Sequence, residues 1–163
     1  GALLLLSVII EWKKNKSSKR YVVVPPASIV LLCVFFSSCN AGPELISTGK
    51  DNCYFCKMTI TDIKYAAEIV TAKGKVYKFD DVHCLLSFTK AKMIEEKLIK
   101  DIYLSDFAGD HSLVKANESF LLQGDEIRGP MNGNIIAFKS KDSLKKTAGL
   151  FNAAETSWQL VTK

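Results

Sequence analysis

Short runs of apolar residues separated by polar turns fill residues 51–163, and most of these runs have the length of strands. In the first half, Tyr65–Thr71 and Lys75–Phe79 predict two strands, and Gly74 lies in the turn between them. The second half predicts three more strands and a closing one, at Ile102–Ser105, Ser119–Gln123, Ile135–Phe138 and Ser157–Val161. The alternation therefore favours antiparallel sheet in both halves.

Two segments have helical spacing instead. Apolar residues after Asp80 and Asp81 recur on one face, which predicts a helix from Val82 to about Lys100 with an aspartate as its cap. Ser140 precedes a second such segment, which predicts a helix running through Leu144 to Leu150. Each predicted helix follows directly on a predicted strand.

The two halves share a weak internal repeat. The common pattern is a glycine turn, a phenylalanine five residues later that ends a strand, and a leucine six residues further in a helix: Gly74, Phe79 and Leu85, then Gly133, Phe138 and Leu144. This pattern predicts an α+β fold of two small antiparallel ββα-type units, over residues 51–100 and 101–163. Because neither unit has much core alone, we expect them to pack together.

The first 50 residues have the composition of an export segment. Lys19-Arg20, an apolar run over residues 21–36 and then Ser37-Ser38-Cys39 resemble a secretory signal that ends in a lipobox. We therefore expect residues 1–38 to be a leader, with 1–18 as an over-extended start, and Cys39 to carry a lipid anchor. Residues 39–50, rich in Gly, Pro, Ser and Thr, read as a lipidated tether.

Charge argues against a nucleic-acid partner. The chain carries 22 basic and 17 acidic residues, but five of the basic ones and one acidic one lie in residues 1–38. The remainder is almost neutral, whereas a nucleic-acid-binding domain normally carries its own basic excess.

The cysteine count points to reactive or metal-binding thiols. Of five cysteines, Cys33 would leave with the leader and Cys39 would be lipidated, which leaves Cys53, Cys56 and Cys84. Three thiols cannot all pair, so a complete disulfide framework is excluded. A single disulfide at the start of the domain stays open, because export favours oxidation.

The segment from Cys53 to Met58 has the sequence Cys-Tyr-Phe-Cys-Lys-Met. If the segment from Cys56 to Met58 is extended, alternation places those two sulfurs on one face. Thiolate and thioether together form a soft ligand set that selects Cu(I), whereas structural zinc needs four ligands and rarely takes thioether. A thioredoxin-like redox motif, a c-type haem attachment with Lys57 in place of histidine, and a plain disulfide are the competing interpretations.

Together with several motifs that follow it along the chain, this segment resembles the NosL family, the lipid-anchored accessory proteins of nitrous oxide reductase. The matching motifs are Cys53-Tyr-Phe-Cys56-Lys-Met58, Tyr65-Ala-Ala-Glu68, Gly74-Lys-Val-Tyr-Lys-Phe79-Asp80-Asp81, Tyr103-Leu-Ser105-Asp106-Phe107, Gly129-Pro130-Met131 and Ile136-Ala137-Phe138. Family members often have glycine where this chain has Lys57. The resemblance implies two ββα-type units and a periplasmic, membrane-anchored Cu(I) chaperone, not an enzyme, that supplies nitrous oxide reductase or another copper-accepting client.

The resemblance also leads to a ligand hypothesis. Cys56, Met58 and Met131 would hold Cu(I) through three sulfurs between the two units, with Cys53 as an alternative or exchange ligand. Asp81, His83 and Cys84 could form a secondary metal site, although an aspartate cap, a solvated histidine and a packed cysteine account for them better. A copper donor or an assembly complex would be a further partner.

Overall fold

A computed structural model of the protein describes residues 42–163. The predicted leader, Cys39 and the start of the tether lie outside the described residues. In the described part of the chain, no helix combines the length and apolarity that a membrane crossing requires.

The first sheet contains four antiparallel strands in the order β2-β1-β3-β4. Its strands are β1 (Ala67–Thr71), β2 (Val76–Phe79), β3 (Ile99–Ser105) and β4 (Leu113–Lys115). Helix α1 (Val82–Lys90) follows β2 and buries Leu85 and Phe88. Since β3 pairs with β1 of the first half and β4 pairs with β3, this sheet extends beyond the unit boundary expected at residue 100. Strand β4 was not predicted.

The second sheet contains three antiparallel strands in the order β6-β5-β7. Its elements are β5 (Phe120–Gln123), β6 (Ile135–Phe138), helix α2 (Lys141–Ala148), β7 (Ala154–Thr156) and the single helical turn α3 (Trp158–Val161). Ser140 caps α2 as predicted, and its side chain accepts a hydrogen bond from the backbone N–H of Asp142. In both halves a strand that ends in a buried phenylalanine leads directly into a capped helix.

The end of β3 joins the two sheets. Asp106 forms a parallel bridge with Ala137 of β6, and the N–H of Phe107 donates to the Ala137 carbonyl over 2.8 Å. The Asp106 carboxylate also accepts from the N–H of Lys139 over 3.2 Å. The predicted α+β fold of two packed antiparallel units is therefore confirmed.

Two predicted elements are wrong in extent or type. The helix expected to reach Lys100 ends at Lys90, because Lys92 adopts a left-handed backbone (φ 53°) and the chain then makes a 3-10 turn at Glu96–Leu98. The segment Ser157–Val161 is not a strand. Strand β7 precedes it, and Ser157 stands at the N-cap position of α3.

Strand β1 is buried along its whole length and carries one acid, Glu68. One carboxylate oxygen of Glu68 accepts from the N–H of Glu44 over 3.0 Å, and the other has no hydrogen-bond partner among the described residues. Burial raises the pKa of Glu68 to about 7, although the Glu44 N–H and nearby Lys78 oppose the shift. In the folded protein Glu68 is therefore mostly ionised only above neutral pH.

Glu68→Gln is expected to change the pH dependence of stability. Between pH 4.5 and about 7 the folded state keeps a proton on Glu68 that the unfolded state loses, so wild-type stability falls as the pH rises. The variant lacks this slope and should be more stable than wild type by about 2 kcal/mol at pH 8, and equal to it near pH 4. Urea titrations at both pH values measure this, and a variant at exposed Glu96 should show no comparable change.

Candidate metal centre

The first two cysteines lie in a tight hairpin loop. The N–H of Cys53 donates to the Met58 carbonyl over 2.8 Å, and the N–H of Lys57 donates to the Cys53 carbonyl over 3.0 Å. Lys57, between Cys56 and Met58, has a left-handed backbone with φ 66°. The loop therefore turns back on itself at Lys57 instead of running extended from Cys56 to Met58.

Helix α1 supplies the third thiol. Asp81 is its N-cap, and one carboxylate oxygen accepts from the N–H of Cys84 over 2.9 Å. This places Cys84 in the first turn of the helix, facing the hairpin loop. The sulfurs of Cys53, Cys56 and Cys84 all lie within 4.8 Å of one another. Three thiols at this separation can share one soft metal ion.

The three thiols are free and differ in exposure. Cys53 and Cys84 are fully buried, whereas Cys56 is partly exposed. Solvent and other molecules therefore reach the cluster from the Cys56 side.

Hydrogen bonding polarises the cluster. The thiol of Cys84 donates to Cys53, and this lowers the pKa of Cys53 to about 5 despite its burial; backbone N–H groups of Asp80, Cys56 and Phe55 add to the effect. The same interaction raises the pKa of Cys84, with burial adding to it, and burial raises the pKa of Cys56. The pKa of one thiol is thus lowered and the pKa values of the other two are raised, so a metal that binds all three as thiolates releases protons.

Asp80 lies beneath this cluster and is almost fully buried. Burial raises its pKa to about 6, and the negative charges of Cys53 and Asp81 raise it further. One of its carboxylate oxygens has no hydrogen-bond partner among the described residues.

Asp81 connects the cluster to the Gly-Pro-Met loop of the second half. Its other carboxylate oxygen accepts from the N–H of Met131 over 3.0 Å and from the N–H of Gly133 over 3.1 Å. One buried side chain thus holds both the backbone of Cys84 and the loop that carries Met131. The side chain of Met131 is partly buried and packs against the core that contains Cys53 and Cys84.

The other predicted ligands have different surroundings. Met58 points outward, and 57% of its surface is exposed. His83 is exposed on α1, where its Nε2 lies 3.4 Å from the Ser87 hydroxyl. The structure thus brings Cys53 and Cys56 together with Cys84, which sequence reasoning placed in a secondary site. The signal for this third ligand in the sequence was Cys84 itself, a cysteine without a disulfide partner that follows the capping Asp81 by three residues.

Gly133→Ala is expected to destabilise the loop. A Cβ at this position would lie 2.7 Å from the buried Asp81 Oδ2 and 3.0 Å from its Cγ, so the carboxylate or the loop must move. We expect a loss of about 2 kcal/mol in the free energy of unfolding. Gly149→Ala is the matched control: Gly149 has a right-handed backbone and no atom near a new Cβ, so the change should stabilise by about 0.5 kcal/mol. Urea denaturation of both variants gives the comparison.

Comparison with known proteins agrees with this fold. The NosL family model matches residues 45–155. A solved structure, the crystal structure of the copper chaperone NosL from Shewanella denitrificans, superposes with a TM-score of 0.64 at 20% identity, over 76% of this chain and 97% of that one. A search of curated proteins found no match. Because the family model covers most of the chain, this protein belongs to the NosL family.

Proposed function

We propose that this protein is an extracytoplasmic Cu(I) chaperone, anchored to a membrane through Cys39, that delivers copper to nitrous oxide reductase or to another copper-accepting client. The observation that carries the proposal is the cluster of three free thiols within 4.8 Å, in a chain of the NosL family. The cargo enters as a substrate that the protein holds and passes on.

The ligand set favours Cu(I) over zinc. Thiolates select Cu(I), which is stable with two or three sulfur donors, whereas a structural zinc site takes four ligands. Cys53, Cys56 and Cys84 form the primary set in our proposal. Met131 is a candidate for an additional thioether, since Asp81 accepts from its backbone N–H and from that of Cys84. Met58, exposed at the rim, suits a donor used during transfer.

The placement of the motif argues against a thioredoxin-like oxidoreductase. In such enzymes the Cys-x-x-Cys motif follows a strand and opens a helix. Here the motif lies in a hairpin loop before β1, and helix α1 contributes only Cys84. Buried sulfurs with one partly exposed edge suit storage and transfer of an ion, because an incoming ligand can reach Cys56 before the donor releases the metal.

Anaerobic Cu(I) titration against bathocuproine disulfonate tests the cargo. We expect one Cu(I) per chain, three reactive thiols in the apo protein, and protection of those thiols when copper is bound. A Cys53–Cys56 disulfide in protein purified without oxidant, together with no bound copper, would overturn the proposal. Zinc at equal concentration should not displace the copper.

Client and anchor need separate tests. Incubation of the loaded chaperone with copper-free nitrous oxide reductase should restore the enzyme's copper absorption bands, and free Cu(I) chelate at the same concentration should restore less. Incorporation of labelled palmitate in cells should require Cys39 and be lost in Cys39→Ala. If the chaperone transfers copper no better than the chelate does, nitrous oxide reductase is not its client. If labelling persists in Cys39→Ala, Cys39 is not the lipid anchor.

A further inference from the structure

Four side chains lie on or next to the hairpin loop that carries Cys53 and Cys56. Tyr54 and Lys57 come from the hairpin loop, and Lys75 and Tyr77 come from the turn before β2 and from β2 itself. The backbone N–H of Tyr54 donates to the Lys78 carbonyl over 2.8 Å, which fixes the loop against β2. We call these four residues the lysine–tyrosine rim.

The side chains of the rim contact one another. The two tyrosine rings meet edge to face with centroids 4.6 Å apart. The Lys57 ammonium lies 4.4 Å from the Tyr54 ring centroid, and the Lys75 ammonium lies 4.4 Å from the Tyr77 centroid and 5.3 Å from that of Tyr54. Two positive charges are thus held over aromatic faces, one of them on Lys57, the residue that follows Cys56.

Neither rim lysine is neutralised by an acid. Within residues 42–163 the salt bridges formed by lysines involve Lys64, Lys78, Lys97, Lys115 and Lys141, and not Lys57 or Lys75. The Lys57 ammonium donates instead to the Tyr54 carbonyl over 2.6 Å. Both ammonium groups are therefore available to a partner carboxylate.

Lys57 occupies its position at a conformational cost. A left-handed backbone costs an L-residue with a side chain about 1 kcal/mol relative to glycine. Strained residues of this kind concentrate at functional sites, where the surrounding structure holds them in place. The side chain at this position is exposed, so it does not repay the cost by burial in the core.

The partly exposed thiol of the cluster lies in the same loop as two residues of this rim. Cys53 and Cys84 are fully buried, so an incoming ligand must approach Cys56. Tyr54 and Met58, with 37% and 57% of their surfaces exposed, flank Cys56 in the loop. An acceptor that takes the ion by direct ligand exchange therefore approaches the loop that carries Tyr54 and Lys57.

We propose that the lysine–tyrosine rim is the docking surface for the copper acceptor, and that the acceptor presents carboxylates around its own metal-binding residues. This inference rests on the proposed Cu(I) function and adds the chemistry of the partner surface. Opposite charges across a small contact accelerate encounter and fix its orientation, while contributing less to equilibrium affinity. Charge on the rim should thus control the rate of transfer and its choice of partner.

Two synthetic acceptor peptides of equal length test the proposal. Both contain Cys-x-x-Cys, one flanked by aspartates and the other by lysines. With Cu(I)-loaded protein in stopped flow at about 10 mM salt, we expect the acidic peptide to take copper about tenfold faster than the basic one. At about 300 mM salt the difference should shrink, because screening shortens the range of the charges.

The variants Lys57→Glu/Lys75→Glu should invert this preference without changing the equilibrium Cu(I) affinity. Lys92→Glu/Lys146→Glu is the matched control, since both residues are exposed and Lys92 is also left-handed; it lies two residues beyond the end of α1 and eight residues after Cys84. If the charge-reversed protein folds poorly, Lys57→Gln/Lys75→Gln should abolish the preference. Equal rates for the two wild-type peptides, or an equal inversion in the control, would overturn the docking surface. Failure to load copper would instead overturn the proposed function.

Discussion

Replacing Cys84 by serine is expected to lower the affinity for Cu(I) about a thousandfold, which is about 4 kcal/mol. The reason is that the change removes one of three sulfurs within 4.8 Å of one another and also the thiol that donates to Cys53. A serine hydroxyl is a hard ligand that Cu(I) binds poorly. Competition with bathocuproine disulfonate under anaerobic conditions measures the affinity.

The control for Cys84→Ser is Met58→Leu. Met58 is an exposed soft donor, and leucine preserves its size, so its removal should change the equilibrium affinity less than tenfold. A large loss in Met58→Leu with none in Cys84→Ser would instead support the Cys56–Met58–Met131 set that the motif suggests. Circular dichroism of both apo variants should match wild type, because Cys84 → Ser is nearly isosteric.

Sequence reasoning found the hairpin cysteines because their spacing is local, but it could not place Cys84. Cys84 lies 28 residues after Cys56, and the contact between them depends on how α1 packs against the loop before β1. An aspartate cap at Asp80 or Asp81 and the start of the helix were predictable, and the structure assigns the cap to Asp81. Their consequence, a cysteine in the first turn that faces two others, depends on tertiary packing.

The geometry of Lys57 shows a limit of pattern reasoning. Alternation assumed an extended backbone from Cys56 to Met58, and the left-handed φ of Lys57 breaks that assumption. The same angle gives a physical reason why glycine suits this position in related sequences, since glycine adopts positive φ without a steric penalty. Lysine at this position carries a steric cost that glycine avoids, so we attribute its presence to a role of its side chain.

The repeat anticipated the two strand-to-helix corners but not the assembly of the sheets. Phe79 and Phe138 are both fully buried at the ends of their strands, as the repeat predicts. The positions of β3 and β4 in the first sheet follow from long-range pairing, with Ala67 opposite Leu104. No local pattern specifies such a pairing, because its free energy comes from residues far apart in the chain.

Asp81→Ala is expected to destabilise the apo protein by about 4 kcal/mol. The carboxylate is 1% exposed and accepts from three backbone donors, the N–H groups of Cys84, Met131 and Gly133. Alanine leaves all three without this acceptor, and each buried donor that loses its partner costs about 1–3 kcal/mol. Urea denaturation monitored by tryptophan fluorescence measures the loss.

Asp62→Ala is the control, because it measures what the loss of an ordinary capping aspartate costs. Asp62 also accepts a backbone hydrogen bond, from the N–H of Lys64 over 3.1 Å, but only within a short surface turn. We expect it to cost about 0.5 kcal/mol. Equal losses in the two variants would mean that Asp81 is only a helix cap. A much larger loss at Asp81, with weaker Cu(I) binding in the fraction that stays folded, would mean that one carboxylate holds Cys84 and the Met131 loop in position together.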